Sequence, residues 1–199
     1  YFFAALSEIT QGEEVEIKLK IKESQIESIK RNLRVLGSVF KEKIKESDSY
    51  FTAPHRDFIK TKECLRVREN GYLELTYKGP TTKLMKEKKQ FWKKEINIPL
   101  SCSRQEIESL LVALNFTKLT DVLKEREKFT LREQEINLDK VEGIGSFLEI
   151  ESIVKNTKDR AKALKEHLHL LRKLDLDAEN IVNLPYRDIV LEKQKSKDI

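Results

Sequence analysis

Residues Glu14-Val15-Glu16-Ile17-Lys18-Leu19-Lys20-Ile21 alternate strictly between a charged and an aliphatic side chain over eight positions. A period of two marks a strand with two unlike faces. Val15, Ile17, Leu19 and Ile21 share one face; Glu14, Glu16, Lys18 and Lys20 share the other. The two carboxylates then point the same way, about 7 Å apart at the rise of a strand, with an ammonium next in line. Such a row suits a divalent metal and a phosphate. The plain alternative is an ordinary solvated strand face. Against it stands the recurrence of the pattern, with selected charges, along the whole chain.

The 199 residues predict one domain. After the first strand, Ser24 followed by Glu27 predicts a capping box. Ile26, Ile29, Leu33 and Leu36 then continue at helical spacing, and Gly37 is the expected stop. The same unit returns later: Trp92 to Ile98 alternates, Pro99 breaks, and Ser103 with Glu106 forms a second box ahead of Ile107, Leu110, Leu111 and Leu114. Residues 25–29 (QIESI) and 106–110 (EIESL) read alike, which suggests an internal repeat of two halves. Further strands are expected at Val39 to Ile44, Cys64 to Arg68, Tyr72 to Lys78, Val122 to Phe129, Arg132 to Leu138 and Ser146 to Ile153, with Asn70-Gly71 as a hairpin turn. A third helix, Lys158 to Leu174, carries Ala161, Leu164, Leu168 and Leu171 as its apolar stripe and Asn156 or Thr157 as its cap. Roughly eight strands in hairpins with few helices predict an α+β protein. Its centre is a closed antiparallel eight-stranded β-barrel, with amphipathic helices outside. Residues 1–12 read as an N-terminal extension, 13–193 as the domain and 194–199 as a tail.

Charge narrows the function. Charged residues make up 37% of the chain against the usual ~25%, so many must lie elsewhere than on a simple outer surface. The 39 basic and 34 acidic residues leave a net charge of +5 with the signs mixed. That favours a small polyanionic ligand over a nucleic-acid groove, which needs a clustered basic stripe. The basic run Lys83 to Lys94 follows Gly79-Pro80 and reads as a loop over a tunnel mouth. No apolar run approaches the ~18 residues of a membrane span, and residues 1–12 lack the basic start of a signal peptide. Cys64 and Cys102 have no metal-ligand spacing; two isolated thiols point to the cytoplasm, with a disulfide between them left open. His167 and His169, two apart on a helix, cannot share a face, and His55 in a Pro-containing loop is structural or substrate-adjacent.

The polar strand faces carry Glu14, Glu16 and Lys18; Arg66 and Arg68; Glu74, Thr76 and Lys78; Lys93 and Glu95; Lys124 and Arg126; Glu149 and Glu151. Burying so many charges costs several kcal/mol each unless they pair or bind ions. With the apolar faces packed on the helices outside, these charges line a tunnel. Acidic pairs with basic pairs between them suit a metal-bound triphosphate: Mg²⁺ or Mn²⁺ takes carboxylate and phosphate oxygens, and Arg forks grip phosphate. No G-x-x-x-x-G-K-[ST] loop occurs, so phosphate contact falls to side chains.

Glu14-x-Glu16-x-Lys18 resembles the ExExK signature of the CYTH superfamily, the triphosphate tunnel enzymes, which include class IV adenylyl cyclases and thiamine triphosphatases. Similar blocks follow in order: residues 48–51 (DSYF), 53–58 (APHRDF), 65–68 (LRVR), 76–80 (TYKGP), Val122-x-Lys124-x-Arg126, and residues 138–151 (LDKVEGIGSFLEIE). Coverage runs from about 13 to 193, and the YF, PHRDF and TYKGP blocks look most like the cyclase branch. The resemblance implies Glu14, Glu16, Glu149 and Glu151 as metal carboxylates supported by Asp139. It implies Lys18, Arg66, Arg68, Lys78, Lys124 and Arg126 as triphosphate contacts. Glu14, Glu16, Lys18, Lys124 and Arg126 become the catalytic set. Lys93 is a further expected substrate contact that departs from the family pattern, keeping the charge of an Arg but not its fork. The expected reaction converts ATP to cyclic AMP and pyrophosphate. An inorganic or thiamine triphosphatase and a non-catalytic triphosphate or nucleotide binder are the alternatives. No nucleic-acid or membrane partner is expected, and a homodimer is compatible with the reading.

Overall fold

A computed structural model of the protein describes residues 13–80, 92, 93 and 95–196; the side chains of Glu13, Trp92, Lys93 and Thr157 are outside that description. The expectations for residues 1–12 and for the basic run before Trp92 fall outside the described residues.

Nine strands form one curled antiparallel sheet: β1 (Glu13–Ile21), β2 (Val39–Thr52), β3 (Cys64–Glu69), β4 (Leu73–Lys78), β5 (Trp92–Lys93), β6 (Glu95–Leu100), β7 (Thr117–Leu131), β8 (Gln134–Val141) and β9 (Gly145–Val154). Their order is β5-β1-β9-β8-β7-β2-β3-β4-β6. The two end strands are successive in the chain. β5 pairs with β1 through Glu14↔Lys93, and β6 pairs with β4 through Lys78↔Glu95. The two short strands therefore sit at opposite ends of the order, β5 on β1 and β6 on β4. Without β5 the order is symmetric about the β7–β2 pair, with β1, β9, β8 and β7 standing opposite β6, β4, β3 and β2. The repeat expected from the sequence is thus a two-fold relation of the sheet.

Among the described residues five α-helices accompany it: α1 (Ile26–Val35), α2 (Phe58–Thr61), α3 (Arg104–Ala113), α4 (Arg160–Lys173) and α5 (Tyr186–Lys195). α3 starts as its sequence predicts. The Ser103 amide donates to Glu106 Oε2 at 2.7 Å, and the Glu106 amide to Ser103 Oγ at 3.3 Å. α1 does not. A turn of 3₁₀ helix over Glu23–Gln25 precedes it, and Gln25 Oε1, not Glu27, accepts from an upstream amide, that of Lys22, at 2.9 Å. The long helices end alike. Ser38, Phe116 and Leu176 amides donate back to Leu33, Leu111 and Leu171 carbonyls at 3.0, 2.9 and 3.0 Å. The intervening Gly37, Asn115 and Asp175 adopt φ of +83°, +64° and +59°. This is the Schellman arrangement, which needs a residue tolerant of left-handed backbone; only Gly37 signalled it plainly in sequence.

The apolar strand faces lie outside, under the helices. Ile17, Leu19, Ile21, Ile136, Leu138, Leu148 and Ile150 pack with Ile29 and Leu33 of α1 and Leu170 and Leu171 of α4. Phe51, Leu65, Val67 and Leu73 pack with Ile107 and Leu111 of α3. Each such side chain contributes about 1.5 to 3 kcal/mol when fully buried. Of the expected α4 stripe, Leu171 is buried and Leu164 and Leu168 pack partly buried on this core, whereas Ala161 is exposed and Ala163, His167 and Leu170 are buried beside them. The cap also differs, since Asn156 precedes a 3₁₀ turn without a side-chain cap bond and the α-helix begins only at Arg160. His167 is a core residue whose Nε2 meets Ser152 Oγ at 2.9 Å. Cys64 and Cys102 are free thiols, which settles the open disulfide. α5 was not expected from the sequence and continues two residues past the anticipated domain end.

Candidate functional site

β1 buries both of its faces. Val15, Ile17 and Leu19 are buried against the helices, and Lys18 is buried as well, with Glu14 and Glu16 partly enclosed; among the described side chains of β1 only Lys20 is open to solvent. The charged faces of the other strands turn the same way, so the interior of the curl is lined by ionised groups that must neutralise one another.

Two forks anchor this interior. On β2 and β3, Arg68 Nε and Nη2 donate to Asp48 Oδ1 and Oδ2 at 2.6 and 2.7 Å. On β7 and β8, Arg126 Nε and Nη2 donate to Asp139 Oδ1 and Oδ2 at 2.7 and 2.5 Å. Both are bidentate pairs at opposed register positions, the geometry in which an Arg–carboxylate contact is strongest. Around the first fork, Lys124 Nζ stands 2.9 Å from Glu46, Arg68 Nη2 3.1 Å from Glu46, and Arg66 Nη1 3.8 Å from Asp48. Burial opposes ionisation of Glu46, but Lys124 and Arg68 outweigh it and hold its pKa at about 2. Asp48 is likewise held far below the usual carboxylate range, Arg68 and Arg66 overcoming its burial. Around the second fork, Arg126 Nη2 also donates to Glu149, and Lys18 Nζ lies 3.1 Å from both Glu149 and Glu16. Glu149 stays well below its ordinary pKa because Lys18 and Arg126 overcome the cost of burial.

The remaining carboxylates are not neutralised in this way. Glu14, Glu16 and Glu151 place one oxygen each within 4.8 Å of one another. Burial is the main cause that pushes all three upward in pKa, joined by repulsion from Glu95 for Glu14, from Glu149 and Glu14 for Glu16, and from Glu14, Glu149 and Glu16 for Glu151. Each touches one cation of the basic set: Glu14 meets Lys78 Nζ at 2.6 Å, Glu16 meets Lys18 Nζ at 3.1 Å, and Glu151 lies 4.0 Å from Arg126 Nη1. Three hard oxygen donors crowded against their own repulsion fit a divalent cation such as Mg²⁺ or Mn²⁺.

The structure therefore brings Lys18, Arg66, Arg68, Lys78, Lys124 and Arg126 into one enclosed interior with five expected carboxylates, but divides the acids. Glu14, Glu16 and Glu151 form the cluster. Glu149 and Asp139 are bound to Arg126. Lys93 stands opposite Glu14 in register, with its side chain outside the described residues. Sequence reasoning missed Glu46 and Asp48 as interior groups, because β2 was expected to end at Ile44. Glu95, expected among the tunnel-lining charges but given no role in the site, lies 3.0 Å from Lys78, which outweighs burial and holds its pKa at about 2. Sequence reasoning also missed Tyr186, which had no signal at all. Conversely, the PHRDF block faces away from the interior. Asp57 caps α2 by accepting from the Ile59 and Lys60 amides, Phe58 enters the outer core, and Arg56 pairs with Glu63 at 3.1 Å.

Such a curled antiparallel sheet with a charged lining and helices on its outer face defines an architecture shared with known proteins. The family model of the CYTH domain matches residues 12–186, and the chain belongs to that family. It is 33% identical over 177 residues to a Methanocaldococcus jannaschii protein named "Putative adenylate cyclase MJ0240", a match covering 88% of this chain and 97% of the relative. The solved structure of the PH1819 protein from Pyrococcus horikoshii OT3 superposes with a TM-score of 0.79 at 31% identity, covering 90% of this chain and 99% of that one. A Hippeastrum protein described as a "Putative adenylyl cyclase" with a dominant triphosphatase activity has a TM-score of 0.61 at 14% identity, covering 92% and 96%, a likeness of fold alone. Among the described residues no helix is long and apolar enough to cross a membrane.

Proposed function

We propose that this chain is a divalent-metal-dependent enzyme that draws a nucleoside triphosphate into the interior of the sheet and converts ATP to cyclic AMP and pyrophosphate. The observation that carries this reading is the contact between the two charge classes: each carboxylate of the Glu14, Glu16, Glu151 cluster touches one cation of the Lys18, Lys78, Arg126 set. A metal held by the three acids and a phosphate held by the three bases would then be neighbours. With β5 paired to β1 and β6 to β4, the curl would close into a tunnel around them.

The charge balance supports a metal requirement. Among the described side chains placed in the interior above, Lys18, Arg66, Arg68, Lys78, Lys124 and Arg126 are six cations and Glu14, Glu16, Glu46, Asp48, Glu95, Asp139, Glu149 and Glu151 are eight carboxylates, a formal balance of −2. An anion as charged as a triphosphate cannot enter a net acidic, enclosed site without bringing or meeting cations. Mg²⁺ or Mn²⁺ held there would neutralise phosphate charge and lower the pKa of a bound hydroxyl. The chain's own part is positioning and charge: Arg66, Arg68 and Lys124 toward one end of the phosphate row, Lys18, Lys78 and Arg126 toward the acids. Cyclisation forms a bond from the ribose 3′-oxygen to the α-phosphorus and breaks the bond from that phosphorus to the α,β-bridging oxygen. Pyrophosphate leaves with the electron pair, and the hydroxyl proton is released.

The cyclase reading rests on the name of the M. jannaschii relative and on the likeness of the YF and TYKGP blocks, whose Tyr50 and Lys78 face the interior. Triphosphate hydrolysis is the second reading: the Hippeastrum fold neighbour is described by that activity, and the same interior would seat a triphosphate without any pocket for base or sugar. Chromatography of the products from ATP with Mg²⁺ or Mn²⁺ decides. Cyclic AMP with pyrophosphate is expected. ADP with orthophosphate alone, or rapid cleavage of inorganic tripolyphosphate without cyclic product, replaces the cyclase with a triphosphatase.

A further inference from the structure

Two lysines of the interior rest on one aromatic ring. Lys18 Nζ lies 4.4 Å from the centroid of Tyr186 and Lys124 Nζ 5.2 Å from it. The lysines come from β1 and β7, which β9 and β8 separate in the sheet. Tyr186 belongs to no strand. It is the first residue of α5, directly after Pro185, and it is buried to 5% exposure. Its ring meets Phe147 edge-on with centroids 5.0 Å apart, and its hydroxyl donates to Asp139 Oδ2 at 2.9 Å. Asp139 is the carboxylate that holds the Arg126 fork.

A lysine ammonium on a four-carbon stem has no geometry of its own. Here each has carboxylates on one side, Glu16 and Glu149 for Lys18 and Glu46 for Lys124, and the Tyr186 ring beside it. The negative face of a buried ring attracts a cation by roughly 0.5 to 2 kcal/mol, and a ring locked at both its edge and its hydroxyl cannot follow the lysines if they drift. An apolar plug at this end of the interior would need only the contacts with Phe147, Val141 and Ile144 that the surrounding cluster supplies. It would need neither the hydroxyl bond nor two cations on the ring.

We propose that Tyr186 is a positioning residue for the anion site: its ring sets the places of the Lys18 and Lys124 ammoniums, and its hydroxyl ties that arrangement to the Arg126 fork through Asp139. The last helix thereby becomes part of the site rather than a cover on it. The inference rests on the triphosphate reading given above.

Tyr186→Phe, Tyr186→Leu and Tyr186→Met separate ring, hydroxyl and bulk, the methionine standing in should the leucine variant fail to fold. In protein carrying ¹³C-lysine, the ε-methylene signals of Lys18 and Lys124 are expected upfield through the ring current in the wild type and in Tyr186→Phe. They return to the ordinary lysine position in the aliphatic variants. Calorimetric titration with tripolyphosphate and Mg²⁺ is expected to show about tenfold weaker binding for the aliphatic variants and less than about threefold for Tyr186→Phe. Rescue by phenylalanine is the signature of a ring that places cations. Unshifted ε-methylenes in the wild type, or equal weakening in the phenylalanine and aliphatic variants, overturns the proposal, as does wild-type affinity in the aliphatic variants. If the wild-type protein fails to bind tripolyphosphate, the triphosphate reading falls, while the lysine signals still decide whether the ring places the two ammoniums.

Discussion

The two halves of the sheet carry the same fork with the charges exchanged. In one half the central strand β2 offers the acid, Asp48, and its neighbour β3 the arginine, Arg68; in the other the central strand β7 offers the arginine, Arg126, and its neighbour β8 the acid, Asp139. The backbone relation is two-fold, but the electrostatic relation is one of complement. The β2–β3–β4 half concentrates Arg66, Arg68 and Lys78. The β1–β9 edge of the other concentrates Glu14, Glu16, Glu149 and Glu151. Symmetric charges would have placed like against like across the curl, whereas exchanged charges set an acidic wall beside a basic one. A repeated scaffold supplies the geometry, and divergence of the two copies supplies the polarity.

The forks themselves test that contrast most severely. Arg126→Met leaves Asp139 without its fork and Glu149 with Lys18 alone, and should cost about 3 to 5 kcal/mol in urea unfolding, the scale for a broken buried pair. Arg68→Met should cost less, because Lys124 and Arg66 still face Glu46 and Asp48. A larger loss at Arg68 would invert the ranking of the halves.

Outside the curl the halves differ in cover. Ile17 of β1 lies in a core built with both α1 and α4, whereas Ile98 of β6 is 47% exposed. Ile17→Ala should therefore cost about 2 to 5 kcal/mol and Ile98→Ala less than about 1 kcal/mol, measured by the same unfolding curves. Similar costs would mean that the β6 face is covered in solution.

Metal should act on one half only. Mg²⁺ at a hundred times its Kd should raise unfolding free energy by about 2.7 kcal/mol. Glu16→Gln should abolish most of this shift in melts with and without metal, and Glu46→Gln should keep it. Loss of the shift in Glu46→Gln would place the metal in the other half.

The smallest effect concerns pH. The folded-state pKa values of Glu14, Glu16 and Glu151 are raised above the ordinary 4.5. Their contribution is therefore present below that value and lost as pH rises through the folded pKa. Glu46, lowered to about 2, contributes above the ordinary carboxylate pKa and loses that contribution as pH falls toward 2. Without metal the stability profile should fall on both sides. Glu151→Gln should lift the alkaline side by about 1 to 2 kcal/mol, and Glu46→Gln should flatten the acid one. An unchanged alkaline side in Glu151→Gln would show that this carboxylate is not strained by its neighbours.

Much of the site is legible in the chain because strand alternation is local. The face on which Glu14, Glu16 and Lys18 lie follows from their spacing, as does the pairing of Arg66 with Arg68 and of Lys124 with Arg126. Ser103 and Glu106 announce α3 because a capping box closes within four residues. Where local signals compete, the reading slips. Gln25 displaces Ser24 and Glu27 at the start of α1, and α4 keeps its leucine stripe but buries His167 and leaves Ala161 exposed. The charged run Lys41 to Asp48 hides the continuation of β2, since alternation fades where the outward face of a long central strand is itself charged.

Strand faces, the two-part repeat and the residue types of the proposed metal and phosphate site can all be read from the amino-acid order, because each depends on periods of two or 3.6 within one segment. Which charges meet is a matter of long-range packing. Glu151 joins Glu14 and Glu16 rather than staying with Glu149, because β1 and β9 run antiparallel at one register and Arg126 reaches Glu149 from two strands away. Tyr186 enters the interior from a helix that begins well beyond β9 in the chain. Contacts of that range depend on sheet order and curl, which no local pattern encodes.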